Sequence, residues 1–356
     1  MKRISLRKIV ISVAAVIAAV SLWGCSPEMT QTMAEAEEAL EQGDFENASV
    51  LYGAAIEEGR QLQACYRGKG IALMGKMEYK EAADAFLKAL DSATCVEKNI
   101  YHDGMENDIR RYLASCYIHM GEPEKAILIY DALLEKDDEN ITIYMERGTA
   151  KAASKDLEGA KSDFDKAINM DRHNYQMILE IAQTFDKYGG RKYGKGYLAD
   201  VSASKEDAID PVLKGKILFY LEDYEGAVNL LTPYTETDEN ASMIVCRSYI
   251  ALKNYKAAKK VIDSFGDKAD KSPALLNLLG SIYMNQKKYA NAAKTYERAV
   301  KAAAGTTELQ DALFNRAVAY EYNGDFAKAK NLFTEYLKQY SGDAQASREL
   351  KFLNTS

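Results

Sequence analysis

The chain has 356 residues, 47% of them hydrophobic and 28% charged, which is ample for a folded core and on length alone would indicate two domains. Its formal net charge of -7 argues against nucleic acid as a partner, because phosphates need a basic surface, and favours solubility.

Residues 1–24 read as an export signal: Lys2, Arg3, Arg7 and Lys8 precede a twelve-residue apolar run from Ile9 to Val20. That run is well short of the roughly 20 residues a helix needs to span a bilayer. Without this leader the chain carries 42 basic and 53 acidic residues, a net of -11. The run Leu22-Trp23-Gly24-Cys25 resembles the bacterial lipobox, with Trp23 where a small residue is usual. The resemblance implies that the Cys25 thiol is acylated, that cleavage makes Cys25 the N-terminus, and that residues 25–28 tether the chain to the extracytoplasmic side of a bacterial cell membrane. Several acyl chains on one residue give stable anchoring, whereas one chain alone is marginal.

From Met29 onward the pattern is helical hairpins. Residues 141–172 show the unit clearly: two amphipathic helices meet at a polar turn, Ser154-Lys155-Asp156, with small residues at Gly148, Ala160 and Ala167. Aligned on Ala160, small residues recur at Ala48, Ala82, Ala126, Gly194, Ala227, Ala258, Ala292 and Ala329, at intervals of 31 to 44 residues. Twelve positions before each lies another small side chain, from Ala36 to Ala317, and four positions after each a bulky one, from Tyr52 to Phe333. This recurrence is a packing rule for helix on helix. An insertion of ten residues falls within 91–107. Pro123, Pro211 and Pro273 sit where a second or first helix should begin, while Pro233 should end or kink the second helix of the sixth hairpin. Residues 189–207 carry glycine where alanine is expected, which predicts an irregular segment or hinge. Ala346, Leu350 and Leu353 share one face, which predicts a capping helix over 343–356.

The period and the small, small, large spacing resemble the tetratricopeptide (TPR) repeat family. The resemblance implies an all-α TPR solenoid, a right-handed superhelix of about nine hairpins with a C-terminal capping helix. Residues 29–188 would hold hairpins one to five as far as the first helix of the fifth, and residues 208–342 hairpins six to nine. It also implies a groove lined by first helices that takes extended peptides or partner helices. Carrying the register over places Arg67, Met74, Arg111, His119, Phe219, Tyr220, Arg247, Met284 and Tyr322 toward that groove. The Lys-Asn-Asn-Lys-Arg set by which some members clamp a terminal carboxylate is absent, since Met33 stands at its position in the first hairpin.

Catalytic and cofactor signals are weak. Gly189 to Gly196 begins like a phosphate loop but has Gly196 where Ser or Thr would hold magnesium, and it follows a helical segment rather than a strand. His102, His119 and His173 have no metal-ligand spacing, and residues 137–140 lack the glycine and the terminal glutamate of a calcium loop. No metal, cofactor or catalytic residue is expected. Cys65, Cys116 and Cys246 fall on packed positions of first helices, and Cys65 with Cys95 forms a candidate disulfide pair, one beginning a hairpin and the other ending it. The expected function is a lipid-anchored scaffold that binds a polypeptide in the cell envelope, without catalysis. Capture of a glycan or solute for a transporter is the alternative. It is weakened because the one tryptophan, Trp23, leaves with the leader.

Overall fold

The computed structural model describes residues 30–92, 102–203 and 209–355, so the leader, Cys25, Cys95 and most of the expected insertion lie outside it. Nineteen α-helices and no strand occur among the described residues. They pair as α1 (Gln31–Glu41) with α2 (Phe45–Glu57), α3 (Leu62–Gly75) with α4 (Tyr79–Asp91), α5 (His102–Met120) with α6 (Pro123–Leu134), and α7 (Ile141–Ala153) with α8 (Leu157–Met170). Next come α9 (Tyr175–Tyr188) with α10 (Arg191–Ala203), α11 (Pro211–Tyr220) with α12 (Tyr224–Leu231), and α13 (Glu239–Ala251) with α14 (Tyr255–Asp263). The last pairs are α15 (Pro273–Asn285) with α16 (Tyr289–Ala302) and α17 (Leu309–Tyr322) with α18 (Phe326–Gln339), followed by the single helix α19 (Ala344–Leu353).

The turn within every hairpin is built alike. Five positions before each aligned Ala or Gly, the backbone turns left-handed: at Gly43, Gly121, Gly189 and Gly324, but also at Met77, Lys155, Glu222, Lys253 and Lys287. In five of the nine hairpins a short polar side chain one residue later opens the second helix. Asp44, Asp156, Asp223, Asn254 and Asp325 each accept a hydrogen bond from a backbone N–H three residues on, filling a donor that the helix leaves vacant. The prolines act as the sequence indicates. Asp210 and Ser272 cap α11 and α15 ahead of Pro211 and Pro273, and Pro233 ends α12 in a 3-10 turn, Thr232–Tyr234.

The small and large residues meet as the spacing requires. Every aligned alanine is fully buried, and the bulky residue four positions later is at most 4% exposed. In hairpin four that residue is Phe164, whose ring lies flat on Gly148, where a Cβ would stand 2.6 Å from it. Gly70 with Phe86, Gly215 with Leu231 and Gly280 with Tyr296 repeat the arrangement. The next hairpin then packs on the ring: Phe164 meets Phe185 of α9 edge-on at 5.2 Å, and Phe86 stacks on Tyr112 of α5 at 5.5 Å.

Hairpin five departs from expectation. Of the segment 189–207, expected to be irregular or a hinge, residues 191–203 form the helix α10 and residues 204–207 lie outside the described residues. Gly194 is needed there, because a Cβ would lie 2.7 Å from the Ala182 carbonyl oxygen of α9, so glycine permits a closer crossing rather than a break.

The chain divides into two compact units, Met1–Met120 with Ala299–Ser356, and Gly121–Arg298. In the first, the turn after α18 meets the turn between α3 and α4. The Gly342 N–H donates to the Lys76 carbonyl at 3.2 Å, Ser341 hydrogen-bonds Glu78, and a Cβ on Gly342 would lie 2.1 Å from the Met77 carbonyl oxygen. The cap α19 covers Phe314, Phe333 and Tyr336 with Ala346 and Leu353. Its N-cap, Asp343, is 3% exposed and accepts a 2.7 Å bond from the Tyr336 hydroxyl.

Candidate partner-binding surface

The side chains assigned to the first-helix face divide into those that hold hairpins together and those that remain outward. In the first unit, Arg67 of α3 reaches Asp108 of α5, its Nε 2.9 Å from the carboxylate, and lies over the Tyr112 ring at 5.5 Å. It is a bracket between successive first helices. Met74 is 7% exposed and belongs to the core rather than to a groove. His119 of α5 stacks on Tyr79 of α4 with centroids 4.3 Å apart and planes 5° from parallel. Burial, with Cys116 and Asp343 nearby, pushes the Tyr79 hydroxyl up to about 12, so it stays protonated beside the imidazole. Arg111 is half-buried, and Tyr322, at the end of α17, is 59% exposed.

In the second unit, Phe219 packs edge-on to Tyr224 at 5.3 Å and against the core around Ala227 and Val228. Tyr220 donates a 2.7 Å hydrogen bond to the Ala182 carbonyl, the same oxygen that excludes a side chain at Gly194. Burial raises its hydroxyl to about 12, with Asp186 adding to the shift and Arg191 opposing it. Both take part in packing and remain half-buried. Arg247 is exposed on α13 and Met284 half-buried on α15. Of the nine, Met74 alone is buried; Arg247 and Tyr322 are exposed and the other six keep part of their surface accessible, so these eight remain where a partner could touch first helices.

The charge network of hairpin four was not anticipated. Arg147 of α7 donates to both oxygens of Asp163 on α8, at 2.9 and 2.7 Å, and at 2.7 Å to Asp131 on α6. Lys151 also reaches Asp163 at 2.9 Å, and the Asp163 side chain is 4% exposed. Hydrogen bonding to Asp163 is the main reason the Arg147 pKa is raised despite burial. The cluster ties three helices together around the one buried carboxylate, Asp163, and removing its cations would strand that charge. The signal in the sequence is a cation on α7 with carboxylates sixteen residues to either side, which a search for small and large residues does not register.

No group of three or more His, Cys, Asp or Glu able to hold a metal occurs among the described residues, and no helix among them is long and apolar enough to cross a membrane. Gly189 to Gly196 is a left-handed turn running into α10, with Arg191 paired to Asp186 at 3.0 Å and to Glu222, and Lys195 near Glu222 at 3.6 Å. Arg191 and Lys195 thus already face carboxylates. Cys65, Cys116 and Cys246 are buried thiols. Burial pushes Cys65 up to about 11 and the other two to about 12. Cys65 Sγ sits 3.9 Å from Met33 Sδ, and its candidate partner Cys95 lies outside the described residues.

Tetratricopeptide repeat models match residues 33–94, 113–142, 141–174 and 271–341, more than half of the chain in total. Among curated proteins, human tetratricopeptide repeat protein 21B is 25% identical over 281 residues, which is 78% of this chain and 20% of that protein. Mouse FK506-binding protein-like is 33% identical over 84 residues, 24% of each chain. The chain therefore spans about a fifth to a quarter of the length of these relatives. Among solved structures, yeast Tom70 is similar with a TM-score of 0.50 at 13% identity, covering 91% of this chain and 80% of that one, a likeness of fold alone.

Proposed function

The chain belongs to the tetratricopeptide repeat family, and from that premise we propose that it is a protein-protein interaction scaffold, held on the extracytoplasmic side of a bacterial membrane through lipid on Cys25 and acting without turnover. The observation that carries the scaffold reading is the regularity of nine hairpins whose left-handed turns and buried small residues recur at one offset. Such a stack uses its recurring small and large side chains for its own packing and leaves part of each first helix accessible to a partner. Arg and aromatic side chains anchor interfaces, and exposed Arg247 and Tyr322 are of those types.

The anchoring reading rests on the short apolar run and on Cys25 at its end. Two experiments separate the halves of the proposal. Cys25→Ala should release the chain from membranes and alter the mass of its mature N-terminus; unchanged retention and mass refute the anchor and leave the scaffold standing. Pulldown from solubilised membranes should recover a polypeptide whose yield falls about tenfold with Arg247→Ala and Tyr322→Ala together, as expected for two anchors of about 1 kcal/mol or slightly less each. Retention of a polysaccharide with no protein refutes the scaffold.

A further inference from the structure

Charge in this chain is segregated by hairpin. Residues 30–59, the first hairpin, hold eight Asp or Glu and no Lys or Arg. Residues 247–298 hold eleven Lys or Arg against four Asp or Glu, a net of +7 in a chain whose total is -7. The basic band lies wholly within the second unit, on α13 to α16 and their turns. Within it Lys259 pairs with Asp263 and Arg298 with Asp270. Lys253, Lys256, Lys260, Lys287, Lys288 and Lys294 are all exposed and make no ion pair among the described residues.

Their placement is ordered. Lys253 and Lys287 are the left-handed turn residues of hairpins seven and eight, and Lys260 and Lys294 each stand two residues beyond the aligned alanines Ala258 and Ala292. Successive hairpins thus repeat the same cations at the same positions, which makes a stripe rather than a scatter. In the first hairpin, Glu35, Glu38, Glu41, Asp44 and Glu57 are exposed, and of its eight carboxylates Glu46 is drawn off by Lys76 at 2.6 Å.

We propose that the basic stripe of hairpins seven and eight binds the acidic first hairpin of a second copy of this chain. Two different patches meeting in this way form a heterologous, head-to-tail contact, which propagates unless rotation closes it into a ring. The surfaces are matched in magnitude, seven acidic groups besides Glu46 against a net of +7, so a second copy satisfies both at once. Nucleic acid or an anionic membrane would satisfy only the basic stripe and would be repelled by the first hairpin. Like-charge repulsion also fixes polarity, since neither acidic on acidic nor basic on basic contact is tolerated.

The test is sedimentation velocity of the full chain in non-ionic detergent, at about 20 mM and about 500 mM NaCl, where exposed charges are weakly and strongly screened. Wild type should associate with rising concentration at low salt, and about tenfold or more weakly at high salt. A stripe reversal (Lys253→Glu, Lys260→Glu, Lys287→Glu, Lys294→Glu) and a first-hairpin reversal (Glu35→Lys, Glu38→Lys, Glu41→Lys) should each stay monomeric alone and associate when mixed. If a reversal loses helicity by circular dichroism, Gln at the same positions removes the charge without adding the opposite sign and should weaken association in the same direction. Wild type that stays monomeric at low salt overturns the proposal, as do reversals that associate like wild type. A monomer that instead binds DNA or anionic vesicles through the stripe also overturns it, in favour of those partners.

Discussion

At Gly148 the absence of a side chain is what admits the Phe164 ring, since a Cβ would stand 2.6 Å from it. Gly148→Ala should cost about 1–3 kcal/mol by overpacking. Gly196→Ala, on α10 with nothing within 4 Å of the added carbon, should instead gain up to about 1 kcal/mol from helix propensity; urea midpoints of the two variants moving in opposite directions check the pair. Cysteines give a count. Because burial holds Cys65, Cys116 and Cys246 inert, a thiol reagent in native buffer should leave them unlabelled. After denaturation without reductant, Cys65 and Cys95 should both be unreactive if they are bridged, and both should label if they are not. Glu37 provides a pH signature, since burial and then Glu41 raise its carboxyl pKa while Arg67 opposes them. The folded state then holds this proton more tightly than the unfolded chain, so its contribution to stability falls as pH climbs from about 4.3, the unfolded value, through the folded pKa. Glu37→Gln should therefore be more stable than wild type at neutral pH and equal to it in acid, and equal denaturation midpoints at neutral pH would refute this.

Among elements, α19 has the clearest consequence. It covers Phe314, Phe333 and Tyr336, which would otherwise face water at the end of the last hairpin. Ending the chain before Asp343 should bare this surface and raise binding of a hydrophobic dye, while hydrogen exchange in α17 and α18 rises well above that of the full chain. The capping helix, the hairpin turns and the small residues facing large ones were all legible beforehand, because each is local or recurs at a fixed offset. Three features were not. The regularity of α10 is hidden because glycine in a helix signals weakness unless a neighbouring backbone, here Ala182 of α9, presses on it. The burial of Met74 is hidden because a first helix packs on neighbours at both sides, and the register alone does not say how far its packed arc extends. The meeting of Gly342 with Met77 joins positions hundreds of residues apart, and no local pattern announces such a contact.

For the molecule as a whole, the decisive property is that each hairpin is stabilised chiefly by the next, so damage should spread by adjacency and not uniformly. Phe164 is the sharpest place to test this: it is fully buried, rests on Gly148 within its own hairpin and meets Phe185 of the following one at 5.2 Å. Phe164→Ala removes a ring from a site that glycine on one side and a neighbouring aromatic on the other cannot refill, and should cost about 3–5 kcal/mol. Under nearest-neighbour coupling, hydrogen exchange should accelerate most in α7 to α10, less in α11 and α12, and little in α17 to α19. Acceleration of equal size in α17 to α19 would mean that the chain unfolds as one cooperative body, and a scaffold so built could not bind at one hairpin without stiffening all the others. A gradient would mean the reverse, that a partner seated on a few first helices orders only those hairpins and their neighbours and leaves the remaining surface free for another.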